Sequence, residues 1–227
     1  MKKNLLGSTA VLILTVFFSL PSFSQDSTKA TNIKWIIGLS GSLNSYDNIK
    51  AHQGFNHKYT FTKTGFRGGL DLVYHFSKRS AITTGLQYFN VSYKADYVWI
   101  FNQPNDPAIP RNTDVKVGYL DIPLIYNFSI ISSDKIVVYT ATGIVSSILI
   151  TATGSTTYED NSVRKFDYSN SFILSLQLGA GLQYNLNKKL GIKIEPQYRL
   201  FLKSFDSIME QSPTAICGTV GIVYKLK

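Results

Sequence analysis

The chain has 227 residues, 44% of them hydrophobic and 13% aromatic, with a formal charge of +9 and a single cysteine. One cysteine excludes an intramolecular disulfide, and with it a secreted fold stapled by bridges. The 23 Lys and Arg are scattered over turns, loops and strand faces, which argues against a nucleic-acid surface. They read as solvated ends plus a few interior charges, with attraction to anionic lipid headgroups as a secondary effect.

Residues 1–24 are expected to be a cleaved signal peptide. Lys2 and Lys3 make a basic start, Leu5 to Leu20 is an almost unbroken apolar run, and Ser22, Phe23 and Ser24 give a small-x-small cleavage signal before Gln25. The run is short for a spanning anchor, and no Cys follows the cleavage signal, so a lipoprotein is not expected. No later segment reaches 18 consecutive apolar residues, so no transmembrane helix is expected. A chain of this kind can enter lipid only as a closed barrel.

The remainder, 25–227, reads as one domain of strands. Lys34 to Leu43 alternates Trp35, Ile37, Leu39 and Leu43 with Gly38, Ser40 and Ser42, the period of two that puts alternate side chains on opposite faces. A polar loop, Asn44 to Thr62, precedes a second strand over Lys63 to Phe76, with Phe66, Leu70, Leu72 and Tyr74 on one face and Arg67, Asp71 and His75 on the other. After the tight turn Ser77 to Ser80, the third strand, Ala81 to Lys94, carries Ile82, Leu86 and Tyr88 outward. Its alternation switches at Phe89, Val91 and Tyr93, which either a β-bulge or inward-packed aromatics would produce.

Ala95 to Asp114 contains Pro104, Pro107 and Pro110 and reads as a long loop. Val115 to Ile130 is the fourth strand, kept despite Pro123, which cannot donate to a ladder. Lys135 to Ile150 is the fifth, with two faces of similar character, and Thr151 to Ser169 a third long loop. Asn170 to Leu202 is the clearest stretch, a hairpin of two strands around Asn187 to Lys189. Leu174, Leu176, Leu178, Leu182, Ile192, Ile194, Tyr198 and Leu200 lie on its outer face, and Gln177, Gln183, Lys193, Glu195, Gln197 and Arg199 on its inner one. Lys203 to Thr214 is a fourth long loop, and Ala215 to Leu226 the last strand.

Successive connections run to about 19, 4, 20, 4, 19, 3 and 12 residues. Long loops at one end and tight turns at the other are the asymmetry of outer-membrane barrels. Aromatics near strand ends, including Trp35, Tyr74, Tyr126, Tyr184, Phe201 and Tyr224, fit interfacial girdles. The fold expected is all-β, an eight-stranded antiparallel up-and-down transmembrane β-barrel preceded by a cleaved signal peptide, exported to the outer membrane.

The YLDIPLIYNF strand, the glycine-rich SLQLGAGLQYNL strand, and the EPQYRLFL and GTVGIVYKL segments together resemble the PorT-like outer-membrane β-barrel proteins. The resemblance covers most of the chain after the signal peptide and is strongest from Tyr119 onward. It implies a Gram-negative envelope protein akin to small adhesion, resistance and secretion-accessory barrels, with no catalytic residues to carry over.

Seven ionisable residues fall on inner faces: Arg67, Asp71, His75, Asp121, Lys193, Glu195 and Arg199. Carboxylates with a histidine can perform acid–base work. Eight strands, however, leave an interior only wide enough for side chains, and buried charges must be paired. Arg67, Asp71, Asp121, Lys193, Glu195 and Arg199 are therefore expected to form a structural lumen charge network, a plug of ion pairs. Gly179 and Gly181 read as inward packing or curvature sites, and Cys217 as a small inward apolar residue. His52 and His57 lack a third ligand at fixed spacing, and neither a G-x-S-x-G nor a phosphate-loop motif occurs.

No catalytic centre, metal or cofactor is expected. The long loops, with Tyr46, Phe55, Tyr59, Tyr97, Trp99, Phe101 and Tyr158 among polar residues, suit recognition of a protein or glycan partner. The barrel would stand in outer-membrane lipid as a monomer or as part of an envelope complex, without nucleic acid. The alternatives are a secretion-system accessory barrel and a lipid- or protein-modifying enzyme at the membrane rim.

Overall fold

The computed structural model describes residues 34–46, 57–61, 65–97, 110–158, 160–166, 171–203, 205 and 213–226. They form ten strands: β1 Lys34–Tyr46, β2 His57–Phe61, β3 Gly65–His75, β4 Ser80–Tyr97, β5 Pro110–Ser132, β6 Ile136–Tyr158, β7 Val163–Phe166, β8 Phe172–Asn185, β9 Leu190–Phe201 and β10 Thr214–Lys225. Eight of them, β1-β3-β4-β5-β6-β8-β9-β10, pair antiparallel in that order. The seam between β10 and β1 runs from Ile36 opposite Lys225 to Tyr46 opposite Ala215, so the sheet closes on itself. The expected signal peptide lies outside the described residues.

Tight turns at one end have a common local cause, a short polar side chain that opens the turn. The Ser77 hydroxyl accepts the Arg79 and Ser80 amides at 3.2 and 2.8 Å. Ser133 accepts the Ile136 amide at 3.0 Å, and Asn187 accepts those of Lys189 and Leu190, both at 2.8 Å. Side chains of this kind stabilise turns by standing in for backbone acceptors.

Alternation then sorts the strands into two faces. Leu43 is 67% exposed on the outside, and Leu39, Leu70, Leu86, Leu124, Leu178, Ile194, Val220 and Ile222 share its face and its exposure. So continuous an apolar exterior belongs in lipid. Trp35, Tyr74, Phe76, Tyr126, Phe128, Tyr184 and Tyr224 gather at the turn end of this belt, with the Trp35 and Tyr74 rings 4.7 Å apart. Phe201, expected among the girdle aromatics, instead points inward and is buried. It shares the parity of Arg199.

Four predicted strands are too short and three predicted loops too long, β1 running on to Tyr46 past the expected end at Leu43. β4, β5 and β6 run on for 18, 23 and 23 residues, past the expected ends at Lys94, Val115 and Ile150. β2 adds to β4 and β7 to β6 beyond the barrel, so among the described residues a five-stranded wall rises on one side. Asn161 turns the β6–β7 hairpin at φ 61°. Asp160 beside it accepts the Ser162 amide at 2.8 Å, and hydrogen bonds from Ser162 hold its carboxyl below the ordinary value.

No bulge is needed at Phe89. Phe89 and Val91 are odd-numbered, like the inward Ala81 and Gln87, and all four are buried. The β5–β6 pairing shifts at three places, and the one beside Tyr119 falls on β6, where Gly118 faces Thr151 but Tyr119 faces Leu149. One extra residue reverses the facing of every side chain after it. Before it the two faces look alike in sequence because Val137, Ala141, Val145 and Leu149 are apolar and inward while Ile144 and Ile148 are apolar and outward.

Pro123 sits where the β4–β5 ladder is interrupted, between Thr83 opposite Ile125 and Gln87 opposite Asp121. Its missing donor faces Gly85, where a Cβ would lie 2.1 Å from the Leu70 carbonyl oxygen. Pro196 lies at a second interruption, on the β8–β9 ladder between Gly179 opposite Gln197 and Leu182 opposite Ile194.

Gly85→Leu should therefore destabilise the barrel by at least about 1–3 kcal/mol, the cost of overpacking, while Gly218→Leu should be neutral, because a Cβ there meets nothing within 4 Å. Urea titration of both variants in detergent, followed by the gel shift between folded and boiled forms, checks this contrast. Equal loss of stability in the two would contradict it.

Candidate functional site

The six charged residues expected in the lumen all point into it and are buried. Arg199 is 2% and Asp121 0% exposed. The Arg199 guanidinium grips Asp121 bidentately, through Nη1 to Oδ2 at 2.6 Å and Nη2 to Oδ1 at 3.2 Å. Its remaining donors go to Ser175 and Ser147, at 2.8 and 2.9 Å, and Ser147 itself donates to Asp121 at 2.6 Å. The planar fork of arginine suits such a cage, which takes up four of its five N–H donors.

Asp71 on β3 and Lys193 on β9 form a second ion pair, 2.7 Å long, and Gln87 donates to the other Asp71 oxygen at 2.5 Å.

Arg67 and Glu195 depart from the expected plug of ion pairs. Arg67 donates to Gln177 Oε1 at 3.1 Å, to Gln197 Oε1 and to Thr219 Oγ1 at 3.3 Å, all neutral acceptors. Glu195 accepts the Tyr139 hydroxyl and the Gln197 amide, both at 2.8 Å. Gln197 thus bridges the cation and the carboxylate, accepting from one and donating to the other. The interior is still neutral in sum, with three cations and three carboxylates.

Gly181 makes this arrangement possible. Tyr139 lies opposite it in register, and a Cβ on Gly181 would come within 2.1 Å of the Tyr139 ring. The missing side chain is the space through which the tyrosine reaches Glu195.

The loop-side half of the lumen is apolar. Phe89, Tyr119, Phe201 and Phe205 cluster with centroids 4.8–6.4 Å apart, Phe89 stacked on Tyr119 and Phe201 edge-on to Phe205, walled by Val91, Val115, Val117, Ile173, Ala215 and Cys217. Phe205 comes from the connection after β9, so this loop sends a fully buried ring into the barrel mouth. Tyr46, expected in a loop, ends β1 and packs edge-on to Phe205 at 6.2 Å. Arg199 lies at the base of the cluster, 4.9 and 4.6 Å from the Phe89 and Phe201 centroids, a cation–π contact that joins the apolar and ionic layers.

Toward the turns a cavity of about 70 Å³ remains, lined among others by His75, Gln87, Asn127, Gln183, Lys193 and Glu195. Polar walls and this volume suit a few ordered waters.

Outside the lumen, His52, Phe55, Trp99 and Phe101 lie beyond the described residues, and His57 and Tyr59 belong to β2. Tyr158 ends β6 with Arg164 stacked 5.1 Å over its ring. Among the described residues no three His, Cys, Asp or Glu side chains are grouped so as to hold a metal ion.

Alternation disclosed which residues face inward, but the division into an aromatic layer and an ionic layer was missed. The parity that Phe89 and Phe201 share with the charged residues was the available signal. For Phe205, outside any strand, there was none.

Asp121→Leu should cost about 3–5 kcal/mol, because it leaves the Arg199 charge buried without its partner. Adding Arg199→Met should restore much of that loss, since apolar replacement of a whole buried pair is often neutral. Urea unfolding of the two single variants and the double in detergent measures the coupling. Strict additivity would mean that the pair does not act as a unit.

Solved structures similar to the chain include outer-membrane proteins. They include Ail, the attachment invasion locus protein of Yersinia pestis, determined with the heparin analogue sucrose octasulfate, at 13% identity and a TM-score of 0.47 over 86% of this chain and 100% of that one. OprG of Pseudomonas aeruginosa matches at 14% identity and 0.48, over 86% and 96%. The outer membrane protease OmpT of Escherichia coli matches at 10% identity and 0.42, over 89% and 100%. No curated protein matches the chain. Residues 10–215 match the family model described as the outer membrane protein beta-barrel domain. With nine-tenths of its length so matched and a closed eight-stranded barrel beneath an apolar belt, the chain belongs to the outer membrane protein beta-barrel domain family.

Proposed function

We propose that this protein is a non-enzymatic, integral outer-membrane barrel of the PorT-like kind, exported through its signal peptide, that works through its loop-side surface in binding or in envelope integrity. The observation that carries this reading is the filled lumen. An aromatic layer and a neutral set of buried charges occupy the interior, so neither a permeation path nor an accessible acid–base pair is offered by the residues that sequence would nominate. His75, the barrel's own histidine, lies at the turn end against the small cavity, far from the loop rim where an enzyme of lipid or protein would need it. The wall of β2, β4, β5, β6 and β7 supplies the raised surface that a partner could use.

Two measurements test the reading. Planar-bilayer recordings of the purified barrel should show no steady conductance, and Phe205→Ala, which removes the ring from the mouth, should at most raise brief openings. Cross-linking in native outer membranes, followed by co-purification, should yield a protein or glycan partner that is lost when the connection between β4 and β5 is trimmed. A large stable channel would overturn the filled lumen, and hydrolase activity lost with His75→Ala would install the rim-enzyme reading instead.

A further inference from the structure

Strand register places a sharp chemical boundary on the outer face of β4, β5 and β6. Tyr88, Leu120 and Ile148 form one row across the three strands, all apolar or aromatic. Asn90, Gly118 and Thr151 form the next row toward the loops, with the Tyr88 ring lying over Gly118. Beyond it come Ser92, Lys116 and Thr153, then Lys94, Asp114, Ser155 and Lys165 on four adjacent strands. The belt thus ends at the same level on all three strands, and cations begin two rows above its edge. Rows two residues apart are about 7 Å apart along a strand, and tilt of about 35–45° shortens that along the membrane normal. Lys116 stands two rows, and Lys94 and Lys165 three rows, above the Tyr88 row, about 10–15 Å along the normal after tilt, so their long stems reach back down toward the headgroups.

These rows border a hollow of about 620 Å³ lined by Lys94, Lys116, Lys165 and Asp114 together with Ser92 and Thr153. With Ser155, three ammonium groups and three hydroxyls surround one carboxylate, an excess of two positive charges. Lys94 is only weakly engaged elsewhere, 3.9 Å from the exposed Asp96, and Lys116 and Lys165 are exposed. On β1, β3, β8, β9 and β10 the outer face runs apolar up to Leu43, Phe66, Phe172, Leu202 and Ile216, so among the described residues the basic hollow belongs to the wall.

We propose that this hollow binds the phosphate-bearing headgroup of an outer-leaflet lipid. The acyl chains of that lipid would lie along the belt below, against Tyr88, Leu120 and Ile148, and its phosphate would take the ammonium groups as donors. Charge complementarity and continuity with the apolar face together select a lipid over a soluble anion, because a soluble anion has no use for the belt. The long lysine stems can follow the apolar surface while their heads reach the phosphate. The site requires only that the barrel be in the membrane, so a partner or a conductance found for the protein would leave it standing.

The test uses the purified full-length barrel in phosphatidylcholine nanodiscs that also carry bis-phosphorylated lipid A, with lipid retained after detergent exchange counted by native mass spectrometry. The wild type should retain lipid A and release its dephosphorylated form. Lys94→Gln/Lys116→Gln/Lys165→Gln should weaken retention at least about tenfold, about 1.4 kcal/mol, and the corresponding Lys→Arg triple should keep it. Boiling-dependent gel migration verifies that each variant is folded. Should the glutamine triple fail to fold, Lys116→Gln alone, at an exposed position, should still lower retention measurably. Unchanged retention in the glutamine variants, equal retention of the dephosphorylated lipid, or displacement of lipid A by millimolar inorganic phosphate would each overturn the proposal.

Discussion

Closure of the hydrogen-bonded ladder is the constraint on which the other features depend. In hydrocarbon each unsatisfied backbone group costs several kcal/mol, so β10 must find β1, and it does so along eleven consecutive residue pairs. A circle of eight strands is narrow, with room inside for side chains and little else. Whatever the inner faces carry must therefore be satisfied by other inner faces. The two prolines obey the same rule. Each lies at a break in one ladder, where no ladder bond calls on the donor it lacks.

Inside, two solutions to the filling problem are stacked along the axis. Toward the loops the lumen is solved as a hydrophobic core, with rings and β-branched side chains in contact. Toward the turns it is solved as a polar network with a small wet space. Arg199 belongs to both, because a guanidinium offers donors in its plane and an apolar face above it. Lysine could serve Asp121 but would present no plane to Phe89 and Phe201. The bridge through Gln197 shows a second economy: an amide carries one donor side and one acceptor side, and so it can join two opposite charges too far apart to touch.

Much of this was legible in the chain, for a specific reason. Period-two alternation is local, so strand positions, the outward belt and the inward facing of Arg67, Asp71, Asp121, Lys193, Glu195 and Arg199 could be read without knowing any partner. Pairing is not local. Whether Arg67 meets a carboxylate or a glutamine depends on the stagger of strands more than a hundred residues apart in sequence, which no local pattern encodes. The ends of β4, β5 and β6 were unreadable for another reason. Above the membrane their outward residues are Ser, Thr, Lys and Asp, so the apolar signal that marks a strand in lipid stops while the strand continues. On β6 the bulge then inverts the parity of every later residue in the strand. Phe205 shows the limit most plainly, since a single ring on a connecting loop has no periodicity at all.

The disparity between strand pairings has a kinetic consequence. β5 and β6 form the longest ladder in the barrel and are joined by only three residues, Ser133 to Lys135, so their loop-closure entropy is small and their pairing can propagate outward from a preformed turn. The seam is the opposite case, bringing together Ile36 and Lys225 from almost the full span of the chain. Order of assembly is thereby written into topology, with the central hairpin as the natural starting register and the seam as the last to lock. Until that moment both β1 and β10 present bare edges, and the interval in which they do so is the one in which a nascent barrel is most exposed to pairing with the wrong strand.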